Sequence, residues 1–344
     1  MYTNKSVLYQ PVVPNGPLGV QITNKQFLSY LTKSINLLYD IRATDNFPAP
    51  LPVSIEKKNF EKFEKFEYNI LLKLDGTRFL MYFLRDKLDK KQCILINRAL
   101  NFFAIEINCD DNLYNGTLVD GELINNNNNW KFIIHDSVLL GGNKISKQPY
   151  STRMFDTRCF MESFIYNEPQ TIKLEVKQFF KFSDIEMFIN EIYNNCEGSC
   201  DGIIFMPEKL PVIAGTQYSM LKWKPINKHT FDFMIIEEEN NLIAKVFHQT
   251  KFIDFANIHS DTDDGHNFII KTKQLDNYNN ECIVECSFNE VKSNFDPILV
   301  RTDKTHPNSL RTIERTLFNV NENITLDDFI QIVKTKESNE LKIE

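Results

Sequence analysis

Leu71-Leu72-Lys73-Leu74-Asp75-Gly76-Thr77-Arg78 is the stretch from which the rest of the chain is read. A lysine stands at the end of an apolar run, an Asp-Gly step follows, and an arginine comes next. Asp-Gly is a strong turn signal, and its flanks, Tyr68 to Leu72 and Phe79 to Leu84, are rich in aromatic and aliphatic residues, so a hairpin of two strands is expected. Lys73 then sits at a strand end, facing a cleft. An amine desolvated by apolar neighbours and set among other cations can shed its proton near neutral pH and act as a nucleophile. Taken alone, the octet also reads as a plain hairpin with an exposed lysine, because short motifs match by accident.

Outward from this stretch, strand signals come in quick succession: Cys93 to Arg98, Phe102 to Ile107, Thr117 to Ile124, and Lys131 to Leu140, which ends at Gly141-Gly142. The asparagine run Asn125 to Asn129 is expected to be a loop. So many short strands in series imply a largely antiparallel assembly rather than a doubly wound parallel sheet. Upstream, residues 1–20 read as an extended arm, Asn24 to Ile41 as a capped helix, and Glu56 to Glu67 as a strand or linker with a solvated charged face. Downstream, Ser183 to Tyr193 has the cap, early acids and periodicity of a helix. Strands resume at Cys200 to Phe205 and Met220 to Pro225. Beyond a boundary near Asn227 and Lys228, the segments Phe231–Ile236, Leu242–Phe247, Phe268–Lys273 and Cys282–Phe288 are spaced as in a small β-barrel. A last capped helix is expected from Thr325 to Val333.

A length of 344 residues allows two domains. The net charge of −7 argues against coating nucleic acid by bulk charge, although a local basic cleft could take one end of a strand. No uninterrupted apolar stretch approaches about 18 residues and no export signal opens the chain, so a soluble, intracellular protein is expected. Cysteines 93, 109, 159, 196, 200, 282 and 286 are scattered and odd in number, which suits free thiols in a reducing compartment. A four-thiolate zinc site from Cys196, Cys200, Cys282 and Cys286 is the lesser reading.

The polar clusters, in order, are Lys73 to Arg78, Arg98, Asp120-Gly121-Glu122, Asp136, Asp201-Gly202, Leu221-Lys222-Trp223-Lys224-Pro225, and Arg301-Thr302-Asp303-Lys304 leading to Pro307-Asn308. This ordered set resembles the covalent nucleotidyltransferases, the superfamily of messenger-RNA capping guanylyltransferases and ATP-dependent polynucleotide ligases. The last motif, which ligases usually lack in this form, favours the capping enzymes. The resemblance implies an α+β fold: an antiparallel-sheet, ligase-like nucleotidyltransferase domain over 1–228, then an OB-fold β-barrel over 229–319, with a C-terminal helix at about 320–344 that could pack back on the first domain.

It also implies roles. Lys73 is the nucleophile towards the α-phosphorus of GTP, and Lys222 and Lys224 touch that phosphate. Asp75 and Gly76 belong to the nucleotide-binding motif, Arg78 and Glu122 hold the ribose, and Arg98 supports the pocket or the RNA end. Asp201, with Glu122, would hold magnesium or manganese, since carboxylate and phosphate oxygens are hard ligands. Arg301, Asp303 and Lys304 would orient the pyrophosphate leaving group. Asp136 joins the nucleotide site, and His135 stands where the family has an aromatic ring that stacks on guanine; imidazole can stack and also hydrogen-bond. The expected partners are GTP, a diphosphate-ended RNA, and an RNA triphosphatase and cap methyltransferase on other chains. The Asn- and Ile-rich composition suggests an AT-rich source, such as a large DNA virus or a cytoplasmic genetic element with a stand-alone enzyme, located in host cytoplasm or virion if viral. An ATP-dependent RNA or DNA ligase is the first alternative, and a catalytically idle scaffold subunit is the second.

Overall fold

The computed structural model describes residues 9–42, 46–126, 129–166, 170–196, 200–289, 291–302 and 304–340. The fold is mixed α and β, and its sheets are mainly antiparallel. The chain forms two compact units, one from 1–55, 59–223 and 329–344, the other from 56–58 and 224–328.

In the first unit the strands Tyr68–Leu74 and Thr77–Arg85 do not pair with each other. Thr77–Arg85 lies in the larger sheet between Lys91–Asn97 and Thr117–Asn126, whereas Tyr68–Leu74 lies in a second sheet beside Cys200–Pro207. The expected hairpin is therefore a crossing between two sheets. Gly76 makes it possible: a Cβ there would come within 2.6 Å of the Ile124 side chain and 2.7 Å of the Leu123 carbonyl. The turn signal was real, but the registers at its two ends belong to different sheets.

Alternation along Thr77–Arg85 buries both faces of the larger sheet. Phe79, Met81 and Phe83 join a core that includes Met161 of the helix Tyr150–Phe164. Leu80, Tyr82 and Leu84 meet Leu31 and Ile35 of the helix Lys25–Leu38, whose cap, Asn24, accepts from the Phe27 amide. The residues read as an extended arm supply two strands at one end of the larger sheet, Tyr9–Pro11 at its edge and Leu18–Gln21 next to it. Glu56 to Glu67 holds two short helical segments, Lys57–Asn59 and Glu61–Lys65, instead of a strand. Asn125, Asn126 and Asn129, expected in a loop, extend strands instead, and 127–128 lie outside the described residues. The expected helix over 183–193 is helical, with its last six residues, Phe188–Tyr193, in the wider π form that keeps Phe188 and Ile189 inside.

The second unit is an open five-stranded antiparallel sheet with Lys251–Ile258 and Asn294–Val300 at its edges, and no closed barrel forms among the described residues. Phe268 to Lys273, read as a strand, belongs to the helix Asp263–Lys273. Thr262 caps it by accepting from the Gly265 amide, acids fill its first turn and lysines its last, and Phe268, Ile269 and Thr272 are buried at helical spacing. This helix packs beside one sheet edge, where Lys271 bonds Asp296 at 2.8 Å. Two further helices follow, Leu310–Glu322 and Leu326–Glu340.

Phe329, on the last helix, belongs to the first unit. It is fully buried, with its ring 4.8 Å from Phe205, 5.9 Å from Trp223 and 6.3 Å from Phe63. Phe329→Ala is expected to destabilise the first unit by about 3–5 kcal/mol through the lost transfer energy and the cavity left behind. Urea denaturation followed by tryptophan fluorescence checks this; a loss below about 1 kcal/mol would show that the ring is not part of the core.

Candidate functional site

Lys73 sits at the end of Tyr68–Leu74, opposite a β-bulge. Leu74 pairs with Cys200 and Lys73 with Gly202, which leaves Asp201 as the extra residue. A bulge re-aims the side chain it carries. Asp201 Oδ2 accepts a 2.5 Å hydrogen bond from Lys73 Nζ, and both side chains keep limited exposure, 22% for the lysine and 13% for the aspartate. Gly202 follows with φ of +146°, which favours glycine. Leu71, Ile204 and Lys222 pair across three neighbouring strands, so their side chains emerge on one face, which Lys73 shares two residues along from Leu71. Lys224, two residues beyond Lys222, begins the second unit.

The larger sheet contributes a second cluster. Arg78 pairs in register with Glu122 and forks onto Asp120, Nε to Oδ1 at 2.9 Å and Nη2 to Oδ2 at 2.5 Å. Phe47 lies against the guanidinium, 5.6 Å from ring centre to Cζ. His135 sits at another bulge, since Asp120 pairs with Asp136 and Gly121 with Ile134, and its Nε2 lies 3.2 Å from Asp120 Oδ1. Burial pushes the Asp120 carboxyl up, but Arg78 and then His135 outweigh it and hold it well below the usual carboxylate range. Burial likewise works against the Arg78 charge, and Asp120 more than offsets it, so the guanidinium pKa is raised. Arg98, in the turn after Lys91–Asn97, has its pKa lowered by burial and then by Arg78. Asp75 and Gly76 are exposed at the crossing.

Asp136 does not join this cluster. It is 3% exposed, and Arg153 binds both its oxygens at 2.8 Å while the Ser137 amide takes Oδ1 again. Arg153 also donates to the carbonyls of Gln148 and Leu210. The carboxylate is spent on tying the helix Tyr150–Phe164 to the sheet. Family resemblance placed it in the nucleotide site, and its partner lies 17 residues away, on another element.

In the second unit the motif from Arg301 to Asn308 gathers on Asp232, a residue that sequence reading missed. Arg301 Nη1 donates to Asp232 Oδ1 at 3.2 Å and to Glu285 at 3.1 Å, Lys304 pairs with Asp232 Oδ2, and Asn308 Nδ2 reaches the same oxygen at 3.1 Å. Asp303 lies outside the described residues.

Residues 4–226 match the family model described as mRNA capping enzyme, catalytic domain, and residues 217–330 match mRNA capping enzyme, C-terminal domain. The chain belongs to the mRNA capping enzyme family. The mRNA-capping enzyme subunit alpha of Saccharomyces cerevisiae is 24% identical over 86% of this chain and 80% of its own, and that of Schizosaccharomyces pombe is 24% identical over 83% and 80%. The mRNA-capping enzyme of Caenorhabditis elegans is 25% identical over 79% of this chain and 46% of its own. These relatives are eukaryotic and lend the expected viral source no support. A mycobacterial DNA ligase D complexed with ATP and MES superposes with a TM-score of 0.44 at 12% identity, over 76% of this chain and 97% of that one.

Beyond the family motifs, this capping-family chain holds Lys177, which no pattern marked. It is 8% exposed, and its pKa falls to about 8; burial lowers it most, Glu122 opposes that, and Lys73 adds to it. Lys177 lines a cavity of about 650 Å3 together with Leu72, Leu74, Ile133 and Glu175, beside the strand that bears Lys73. Its only sequence signal is a lysine ending the apolar strand Ile172–Val176.

The thiols also depart from expectation, because Cys196 and Cys200 form a disulfide while Cys282 and Cys286 are buried free thiols. The four-thiolate zinc site is therefore not formed, and among the described residues no group of three or more His, Cys, Asp or Glu could hold a metal ion. No helix among them is long and apolar enough to cross a membrane.

Two outcomes follow from this chemistry. Lys177→Met removes a cation that the fold buries at a cost, so its unfolding midpoint at neutral pH is expected to exceed that of the parent. The gap should close as pH rises from about 8 to 10.5, because there the unfolded parent still binds the proton that the folded parent has released. Urea titrations across that range decide it, and a gap independent of pH would refute the assignment. Arg153→Met leaves Asp136 as an unpaired buried charge and is expected to cost about 3–5 kcal/mol of stability, read by the same titration.

Proposed function

We propose that this chain is an mRNA guanylyltransferase that carries GMP on Lys73. The observation that supports this most is the Lys73–Asp201 contact at the end of a strand, with Lys222 on the same face. In the first step Lys73 Nζ attacks the α-phosphorus of GTP, a P–N bond forms, the P–O bond to the β-phosphate breaks, and pyrophosphate leaves. A protonated amine has no lone pair to attack with, so Lys73 must first give up a proton, and Asp201 Oδ2 is the acceptor in contact with it. In the second step an oxygen of a diphosphate RNA end attacks the same phosphorus, the P–N bond breaks, and the amine regains a proton as the 5′–5′ cap forms.

The remaining roles extend the same reading. Lys222 and Lys224 neutralise the oxygens of the phosphate in transfer. Arg78 and Glu122 take the ribose, Arg98 supports the pocket, and Arg301, Asp303 and Lys304 take the pyrophosphate. Lys177, buried near Glu122 and Lys73, adds positive charge to the floor of the cleft. His135 turns its polar edge to Asp120, which leaves a ring face for the base. Magnesium is held elsewhere by one or two carboxylates plus substrate phosphates, and Asp201 with Glu122 fits that donor set. A bound ion would neutralise phosphate charge. The second unit is read as an OB-type module whose sheet stays open. Relatives named as alpha subunits support a setting in which RNA triphosphatase and cap methyltransferase act from other chains.

Incubation with α-labelled GTP or ATP plus magnesium is expected to give a covalent band from GTP, absent in Lys73→Ala and slowed about a hundredfold in Lys222→Ala. Preferential labelling from ATP would support a ligase instead. If no nucleotide or metal gives a band, the scaffold reading gains. A band that survives Lys73→Ala would remove the nucleophile assigned here.

A further inference from the structure

One buried carboxylate serves two parts of the proposed nucleotide site. Asp120 is 2% exposed, and its Oδ1 receives Arg78 Nε at 2.9 Å and His135 Nε2 at 3.2 Å, while Oδ2 receives Arg78 Nη2 at 2.5 Å. Arg78 and His135 lie on strands separated by the one that carries Asp120, so the carboxylate bridges three strands. Neither donor is easily replaced by water at this depth. The ring cannot drift to follow the carboxylate either: the bulge fixes the His135 backbone, and the Tyr150 hydroxyl donates to the His135 carbonyl at 3.0 Å. Phe47 lies against the guanidinium on the other side.

We propose that His135 is a positioning residue for Arg78, acting through Asp120, so that the base platform and the ribose contact of the nucleotide site are mechanically coupled. The proposal rests on reading this cleft as the GTP site. An all-carbon ring at 135 would offer a base at least as good a stacking face. It would also take from Asp120 Oδ1 one of its two donors, leaving only Arg78 Nε on that oxygen in a dry place, where a lost hydrogen bond costs most. The carboxylate, no longer anchored from the His135 strand, is free to rotate together with the Arg78 fork, and the guanidinium loses its fixed position over the ribose. A ring that serves only as a platform has no such consequence.

The two roles separate in a double-mutant cycle of His135→Phe and Arg78→Lys in the full chain, read as KM and saturated rate of lysine labelling with GTP and 2′-deoxy-GTP. Positioning predicts that His135→Phe raises KM for GTP about tenfold with little change in saturated rate, and erases discrimination against 2′-deoxy-GTP. It also predicts that the same change adds little once Arg78 is lysine. His135→Gln, which restores an N–H without a ring, should recover the ribose discrimination but not the full affinity. A His135→Phe variant that binds GTP as well as the parent, keeps the ribose preference and is additive with Arg78→Lys overturns the proposal. If the parent forms no covalent adduct, the guanylyltransferase reading fails separately. The cycle is then run on GTP binding by calorimetry, where non-additivity supports the coupling and additivity ends it.

Discussion

An ammonium and a carboxylate held in contact at the end of a strand, neither exposed nor sealed in, is the constraint that the first unit satisfies. Fully buried, the pair would cost more in desolvation than its attraction returns; fully exposed, it would be screened and mobile. Lys73 and Asp201 lie between these limits, and backbone irregularity puts them there. Asp201 is a bulge residue, and so is His135 on the other sheet. In a regular ladder each would alternate to the face its neighbours dictate. A single extra residue breaks that alternation once, at the point where a polar side chain must turn inward.

The crossing at Asp75-Gly76 sets the geometry on which those bulges act. Because the chain passes from one sheet to the other between Lys73 and Arg78, a run of six residues delivers a cation to each sheet. A hairpin would have placed both on one ladder. The close approach of Gly76 to Leu123 and Ile124 explains why a side chain cannot stand there, and it ties the lysine strand to the strand that carries Asp120 and Glu122.

Much of the proposed site was named from the sequence because its residue types recur in a fixed order, and order survives whatever the chain does between motifs. Lys73, Arg78, Glu122, Asp201 and Lys222 could be named without coordinates. What could not be read depends on partners distant in sequence. Asp136 looked like a ligand because Arg153, which consumes it, sits on a separate helix. Lys177 carries no motif, and its depressed pKa comes from burial that only packing creates. Asp232 is one acid among many until the Arg301 motif closes on it. Local misreadings had local causes: Phe268 to Lys273 shows strand-like composition, and only the Thr262 cap and the charges at both ends mark the helix. The sheet assignment of the central octet lay beyond any turn signal, because a turn specifies a reversal and not the strand it will face.

The chain leaves the first unit after Trp223 and re-enters it at Phe329, and these two rings touch, edge to face, at 5.9 Å. Departure and return are therefore neighbours within one aromatic cluster, and 224–328 is looped out between them, joined in the second unit by the short segment 56–58. The two rings are a clasp that holds the ends of the first unit together. Cutting the chain at 328 therefore keeps 224–328 but discards a wall of the first unit, the one that carries Phe329.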